Sequence, residues 1–491
     1  MQKWIASGIA LFWVIFFGID YLWHHPYYGQ ALSSFPYWGT LLLIILISAG
    51  VAILHHVKQG TWLPFASRGW RGITLWALLL VIEVLLFVAY AAYSGALLTD
   101  WTTRLPEILG SILSAHAWLA LVVIIALGLG HYLDRVVSFS YDRNIQVWLN
   151  LGVGFGLMAI VLFLLAVAGQ LKGWLPWIVL LVLAAPNAKY LWVSLKRALW
   201  QPPATFTLHP ACLLVVVAGL VLVAANLLGM NRPVPVGFDA INFYVNIPHI
   251  LSEEGSLVAG GQPYNWSLIM SLGFLGWEST RFALLLSVLP GVLSLGVLYR
   301  LARLYLPVGL SLIVPVLFYA LPMVTWQSTQ EAKVDFGLLF LLLTVLLALL
   351  APRPKKLSIT QLVIVIGFLL GIAIGVKFTA LFTILGVGVV WLYQRLGSKA
   401  AVGGTLAGLG ILFVFGLYRF APIPLNLAGS LVLGGILLVA GAAWMMYQRA
   451  NRYLWVQTAT ELSLLAGVIL LSFSPWLIKN GIEAKEIGLK T

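Results

Sequence analysis

The chain has 491 residues, of which 62% are hydrophobic and 9% charged, with a mean hydropathy of +1.01. Soluble domains carry about 25% charged residues, so a water-soluble surface is excluded. A polytopic membrane protein is expected, its 21 Trp, 18 Tyr and 24 Phe suiting interfacial belts. The one cysteine, Cys212, rules out an intrachain disulfide and a thiolate metal site. The net charge of +13 is spread over many short loops, which marks membrane orientation rather than nucleic-acid binding.

Apolar runs of spanning length, about 17–25 residues, fall at 4–22, 37–55, 73–98, 110–132, 146–169, 174–194, 210–229, 282–299, 306–322, 335–351, 358–376, 378–394, 401–417, 424–446 and 456–478. The first run is long enough to be a transmembrane helix rather than a signal peptide. The run at 174–194 is broken by Pro186-Asn187, and a short pair flanks Lys377. The expected fold class is all-α: a transmembrane helical bundle of about 15 spans. Its parts are an N-terminal bundle of six spans at 1–205 and a core at 206–491, with a long external loop at 230–281.

Charge tests this map. With a cytoplasmic N-terminus, 18 of the 28 Lys and Arg residues fall on the inside and 11 of the 15 acidic residues on the outside. Only Asp134 and Asp142 are inside, while Glu83 and Glu461 lie within spans, where they are expected to face the bundle interior and pair with polar groups. The outer face is thus expected to carry the chemistry, and an odd span count leaves the C-terminus outside.

The segment 230–281 is the longest outer one. Arg232-Pro-Val-Pro235 reads as extended chain. Ile241, Tyr244 and Ile247 recur at helical spacing, so a short amphipathic helix on the membrane surface is expected, with Asp239 near its N-cap. Asp239 can serve as a base toward an acceptor hydroxyl, or simply as a cap. Glu253-Glu254 can orient a donor or hold a metal, or form a solvated helix end before Gly255. His249 reads as a hydrogen-bonded interfacial histidine more readily than as a ligand. A further apolar piece, Ser267–Leu275, is too short to span and reads as re-entrant or interfacial.

Further along, Gln330-Glu-Ala-Lys-Val-Asp335 opens a helix. Its acids suit the positive end of the helix dipole, and Lys333, between Glu331 and Asp335, reads equally as an anion-binding lysine held by carboxylates. Gly375-Val-Lys-Phe-Thr379 places Lys377 between two apolar runs, where it can meet a phosphate or snorkel to the interface. Pro475-Trp-Leu-Ile-Lys-Asn480 ends the last span and reads as an interfacial anchor. Asp20 with His24-His25 is a rival acidic site near the N-terminus. The sequence has no glycine-rich phosphate loop, no His-Glu-x-x-His spacing and no Gly-x-Ser-x-Gly elbow.

Four landmarks stand in order: Asp239 with its aromatic-rich stretch to Pro248, Ala332-Lys-Val-Asp335, Gly375-Val-Lys-Phe-Thr-Ala380 and Ser474-Pro-Trp-Leu-Ile-Lys-Asn480. Over about 236–480 the chain resembles bacterial membrane glycosyltransferases of the GT-C fold, the group with protein mannosyltransferase-like and lipid A sugar transferase-like members. The resemblance implies a polyprenyl-phosphate sugar as donor and transfer with inversion at the outer leaflet. It implies Asp239 as the base that activates the acceptor, and Lys333, Lys377 and Lys479 as residues toward the phosphate. Tyr244, His249, Glu253, Glu254 and Asp335 complete the substrate-binding set. The acceptor (glycan, lipid or protein) is not specified, no cofactor is required, and a divalent metal is compatible with the three outer carboxylates. Such a protein would sit in a bacterial inner membrane with its active site external. The chain departs from the group's pattern in having Phe243-Tyr244 where a Tyr-His pair is usual, in the six spans that precede its core, and in stopping at Thr491 where relatives often continue. A missing C-terminal part is one reading of that stop. Two other readings stay open: a transporter or flippase of lipid-linked intermediates, coupled through Glu83 and Glu461, and a non-catalytic membrane subunit.

Overall fold

A computed structural model describes residues 72–93, 101–137, 141–200, 210–260, 262–321, 324, 327, 331–354, 357–416, 426–447 and 452–488. The spans expected at 4–22 and 37–55, the rival site at Asp20 and His24-His25, and the boundary expected at 205 lie outside these residues. The described residues are helical and contain no strand; one isolated parallel bridge joins Val236 to Glu331. Seven helices are long and apolar enough to cross a membrane, with Leu175–Arg197 counted as one through the tight turn at Pro186. Others fall short of about 20 residues, such as Asp335–Leu350 with 16 and Ala380–Leu396 with 17. A helix stands at each expected run among the described residues, but a count of fifteen spans goes further than these lengths do.

The chain divides into two compact units. The first holds residues 1–136, 141–258 and 265–352, and the second 137–140, 259–264 and 353–491.

The described helices of the first unit are α1 (Gly72–Tyr93), α2 (Trp101–Val137), α3 (Arg143–Val167), α4 (Leu175–Ala184), α5 (Ala188–Trp200), α6 (Pro210–Met230), α7 (Asn246–Glu254), α8 (Asn265–Met270), α9 (Thr280–Arg303), α10 (Val308–Tyr319) and α11 (Asp335–Leu350). Pro186 interrupts the run between α4 and α5 with a single tight turn. Helices α2 and α3 touch through their backbones. A Cβ at Gly130 would lie 1.8 Å from the Asn150 carbonyl oxygen, and one at Gly154 would lie 1.7 Å from that of Ala126. Only glycine permits this approach.

The short piece expected at 267–275 is a helix, α8, and a following turn, both fully buried. Its anchor is Trp266, 1% exposed. The Trp266 indole N–H donates to the Leu286 carbonyl at 3.1 Å. That carbonyl sits four residues before Pro290, which has no N–H to offer it. The tryptophan thus satisfies the acceptor that a proline inside α9 leaves over, and Gly337 in α11 makes room for the ring.

The described helices of the second unit are α12 (Ile359–Val376), α13 (Ala380–Leu396), α14 (Ser398–Val414), α15 (Leu427–Tyr447) and α16 (Arg452–Gly488). A capping box between Ser358 and Gln361 starts α12. Gly367 faces Val468 of α16, and Gly371 faces Ile469 and Ser472, so α12 and α16 run parallel and in step. Continuing that register brings Lys377, which ends α12, level with Trp476 and within one turn of Lys479. The Phe378 ring packs against Phe473, 6.1 Å between centroids, about a turn back along α16 from that level.

Candidate functional site

In the first unit, two segments far apart in sequence meet at the Val236–Glu331 bridge. From Glu331 to Val334 exposure alternates. Ala332 and Val334 are buried, and Glu331 and Lys333 share the other face, as an extended stretch requires. On the partner segment Gly237 adopts φ +97°, and a Cβ there would lie 2.8 Å from the Glu331 Cγ. Glycine is needed both for the backbone angle and for the space.

Asp239 follows on the next turn. Its backbone is already helical, in the turn that Ile241 N–H closes onto the Gly237 carbonyl, and its side chain makes no capping bond, where a cap was expected. Its carboxylate lies 3.3 Å from the Lys333 ammonium, which also contacts Glu331 at 2.5 Å. Burial alone would lower the Lys333 pKa. The hydrogen bond and charge of Glu331, then those of Asp239, outweigh it and hold Lys333 above the ordinary lysine value. Lys333, expected to be held by carboxylates, is held by Glu331 and Asp239, and the trio carries one net negative charge.

The residues after Asp239 form a π turn, with Val245 N–H donating to the Ala240 carbonyl five residues back. The wide turn shifts the helix face by one residue. The buried positions are Ala240, Val245, Pro248 and Leu251, while Ile241, one of the three apolar residues of the expected surface helix, is exposed together with Phe238 and Phe243. Such turns often occur at functional sites, because they re-aim side chains without ending the helix. Tyr244 is half-buried at the turn's end. Pro248 does not interrupt. It sits in the first turn of α7, where a missing N–H costs nothing, and Gly255 closes the helix at φ +70°.

Glu253 and Glu254 lie on the exposed last turn of α7. Glu253 pairs with His249, one turn back, at 3.5 Å, and the His249 ring packs edge-on against Phe274. The structure thus places these three on the solvated helix end instead of gathering them around Lys333. Asp335 is half-buried in the first turn of α11, the favourable end for an acid.

In the second unit, Lys377 occupies a non-helical break between α12 and α13, with extended backbone. Lys479 is 8% exposed. It donates to the Gly260 carbonyl at 2.9 Å, pairs with Glu483 at 2.6 Å, and lies 5.8 and 5.9 Å from the ring centres of Tyr264 and Trp476. This is a buried, neutralised cation, not the surface anchor that its Trp-Lys setting predicts. The spacing of Lys479 and Glu483 by four residues was the available signal.

The two carboxylates within spans carry partners. Glu83, 2% exposed, lies 3.0 and 3.1 Å from the His116 Nε2. Glu461 accepts from Arg395 at 2.7 and 3.0 Å and from the Trp391 indole at 3.0 Å. No group of three His, Cys, Asp or Glu side chains among the described residues is arranged to hold a metal ion.

No family model matches this chain, and neither a curated protein nor a solved structure is similar to it.

Proposed function

We propose that the chain is an integral membrane glycosyltransferase that moves a sugar from a polyprenyl-phosphate donor to an acceptor hydroxyl at the outer face of the membrane. One observation carries the reading. Asp239 lies in the helical turn that follows Gly237, with its side chain 44% exposed and its carboxylate 3.3 Å from the Lys333 ammonium. An acid held by a lysine rather than by helix amides keeps a carboxylate oxygen available to a substrate proton.

In this reading the acceptor O–H gives its proton to Asp239. The acceptor oxygen attacks the sugar's anomeric carbon as the carbon–oxygen bond to the lipid phosphate breaks, and the phosphate leaves with the electron pair. Lys333 positions Asp239. The phosphate requires a cation that is not already neutralised. The order of the four sequence landmarks and the acid-rich outer segments support this reading, as does the excess of Lys and Arg on the opposite side, which orients the N-terminus to the cytoplasm. A bacterial plasma membrane is the setting that goes with a polyprenyl-phosphate donor. Metal participation is not part of the proposal.

The transport reading needs intramembrane carboxylates that can load and unload. Both candidates are engaged, Glu461 by a bidentate arginine, so no observation favours it. The deciding experiment incubates the purified protein with a panel of polyprenyl-phosphate sugars and reads released lipid phosphate and transferred sugar. Turnover lost in Asp239→Asn is expected. Full transfer by that variant, or no turnover with any donor, would overturn the proposal.

A further inference from the structure

We propose that Arg281, with Ser111, Ser114 and Asn231, forms a binding site for the phosphate group of a lipid. It rests on the lipid-phosphate part of the reading above, not on sugar transfer or on Asp239.

The four residues come from three elements of the first unit. Ser111 and Ser114 belong to α2, Asn231 follows α6, and Arg281 is the second residue of α9. Arg281 donates from Nη1 to the Ser111 hydroxyl oxygen at 2.9 Å and from Nη2 to that of Ser114 at 3.1 Å. Asn231 Nδ2 donates to the same Ser111 oxygen at 3.0 Å. The Ser114 hydroxyl gives its own proton to the Ser111 carbonyl at 2.9 Å. Both lone pairs of the Ser111 oxygen are therefore used, and its own proton is left to donate elsewhere.

The charge balance sets this cluster apart. Lys333, Arg395 and Lys479, described above, each face a carboxylate. Arg281 instead faces two neutral hydroxyls, and among the described residues no carboxylate lies within ion-pairing distance of it. A guanidinium has five N–H donors in a planar fork that matches phosphate oxygens. Two are used here on oxygens that cancel none of its charge. Asn231 adds a buried Oδ1 with no hydrogen-bond partner, which suits an O–H beside the phosphate.

The surroundings fit a lipid as the source of that phosphate. The guanidinium lies 4.7 Å from the centre of the Phe282 ring, which stacks on Trp118 at 4.8 Å. Trp118 in turn meets Trp177 and Trp277, and Trp277 meets Trp174. Trp174 and Trp277 are 50% and 45% exposed. Half-exposed tryptophans gathered at helix ends mark the headgroup level of a bilayer. The arginine is thus held at the depth where lipid phosphates lie, over an aromatic floor that acyl or prenyl chains can pack against.

The test titrates the full-length protein, in a non-ionic detergent, with decyl phosphate by calorimetry. Saturable binding is expected. Arg281→Gln should weaken it at least about tenfold, as loss of charge-assisted hydrogen bonds does. Arg281→Lys, which keeps the charge and loses the fork, should fall between. Glu107→Gln, which removes the exposed acid one turn before Ser111, should leave binding unchanged or tighten it. Two competition arms identify the source. Displacement by inorganic phosphate shows recognition of the anion alone, and displacement only by phosphatidylglycerol in mixed micelles shows recognition of a lipid headgroup. Either supports the site. If Arg281→Gln does not fold, the paired Ser111→Ala and Ser114→Ala change reads the same contacts. Wild-type affinity in a folded Arg281→Gln variant, or no binding of any of the three probes by the wild type, overturns the proposal. Because binding is read without turnover, its failure is distinct from a failure of sugar transfer.

Discussion

Replacing Lys333 by methionine removes the cation that Asp239 and Glu331 share and leaves the two carboxylates facing each other. At an effective dielectric of about 20, charges 3.3 Å apart attract by roughly 5 kcal/mol and charges 2.5 Å apart by roughly 7. Those gross values must be discounted for solvent. The Lys333 and Glu331 side chains are 23% and 17% exposed, and that of Asp239 is 44% exposed. Exposed pairs return about 0–1 kcal/mol and broken buried ones cost about 3–5. The trio lies between, so a loss of about 2 kcal/mol is expected, mostly from the Glu331 side. Thermal unfolding in detergent reads it. The double change Lys333→Met with Glu331→Gln should recover about half, since it also removes the acid left without a cation. The pH dependence has a definite sign. The folded pKa of Lys333 is raised above the ordinary 10.5, so its contribution is fully present below 10.5 and is lost only as pH rises through the higher folded value. Between pH 7 and 10 the difference between wild type and Lys333→Met should stay constant. A Lys333→Met protein as stable as the wild type, or a double variant whose losses simply add, would refute the shared-cation account.

Three further outcomes follow from local geometry. Gly237→Ala places a methyl 2.8 Å from Glu331 in a backbone angle that favours glycine. It should cost about 1–3 kcal/mol and reduce turnover beyond the stability loss, as seen by comparing rate with melting temperature. Gly154→Ala drives a Cβ into the Ala126 carbonyl at 1.7 Å; separation of α2 from α3 should show as loss of monodisperse protein on size-exclusion chromatography. Glu461→Gln weakens a bidentate pair and should lower the melting temperature, while Arg395→Met combined with Glu461→Leu should restore only part of it, because the apolar pair removes both buried charges but leaves the Trp391 indole N–H without its acceptor.

The helices were legible because apolar run length alone determines them in a chain of this composition. Breaks at Pro186-Asn187 and Lys377 were legible too, since proline and a lone charge each interrupt a run. The Glu331–Lys333 face was readable as a period of two, and Gly255 as a helix stop. The π turn after Asp239 was not. It inserts one residue into a helical pattern, so the buried set Ala240, Val245, Pro248 and Leu251 could not be read from a regular spacing. Pairings across long separations were equally hidden. The landmark order put Asp239 and Lys333 on one outer face but did not give their contact, and nothing in the sequence joins Arg281 to Ser111 170 positions earlier. Trp266 is an instructive middle case. Pro290 announces an orphaned carbonyl at Leu286, but which donor fills it depends on tertiary packing.

Within the second unit the long helices sort charge by end. From Glu461 to Lys479 along α16 is 18 residues, about 27 Å at 1.5 Å per residue. The same separation holds from Lys377, which precedes α13, to Arg395 in its last turn. Arg395 and Glu461 are bonded to each other, while the parallel register of α12 and α16 brings Lys377 level with Trp476. One end therefore holds a bidentate ion pair closed on itself, and the other holds Lys377 and the Lys479–Glu483 pair, a hydrocarbon thickness away. The positive-inside count assigns Arg395 to one face of the membrane and both lysines to the other without reference to any helix contact. A carboxylate fixed by Arg395 and the Trp391 indole at one end cannot also carry protons across to the other without breaking three hydrogen bonds.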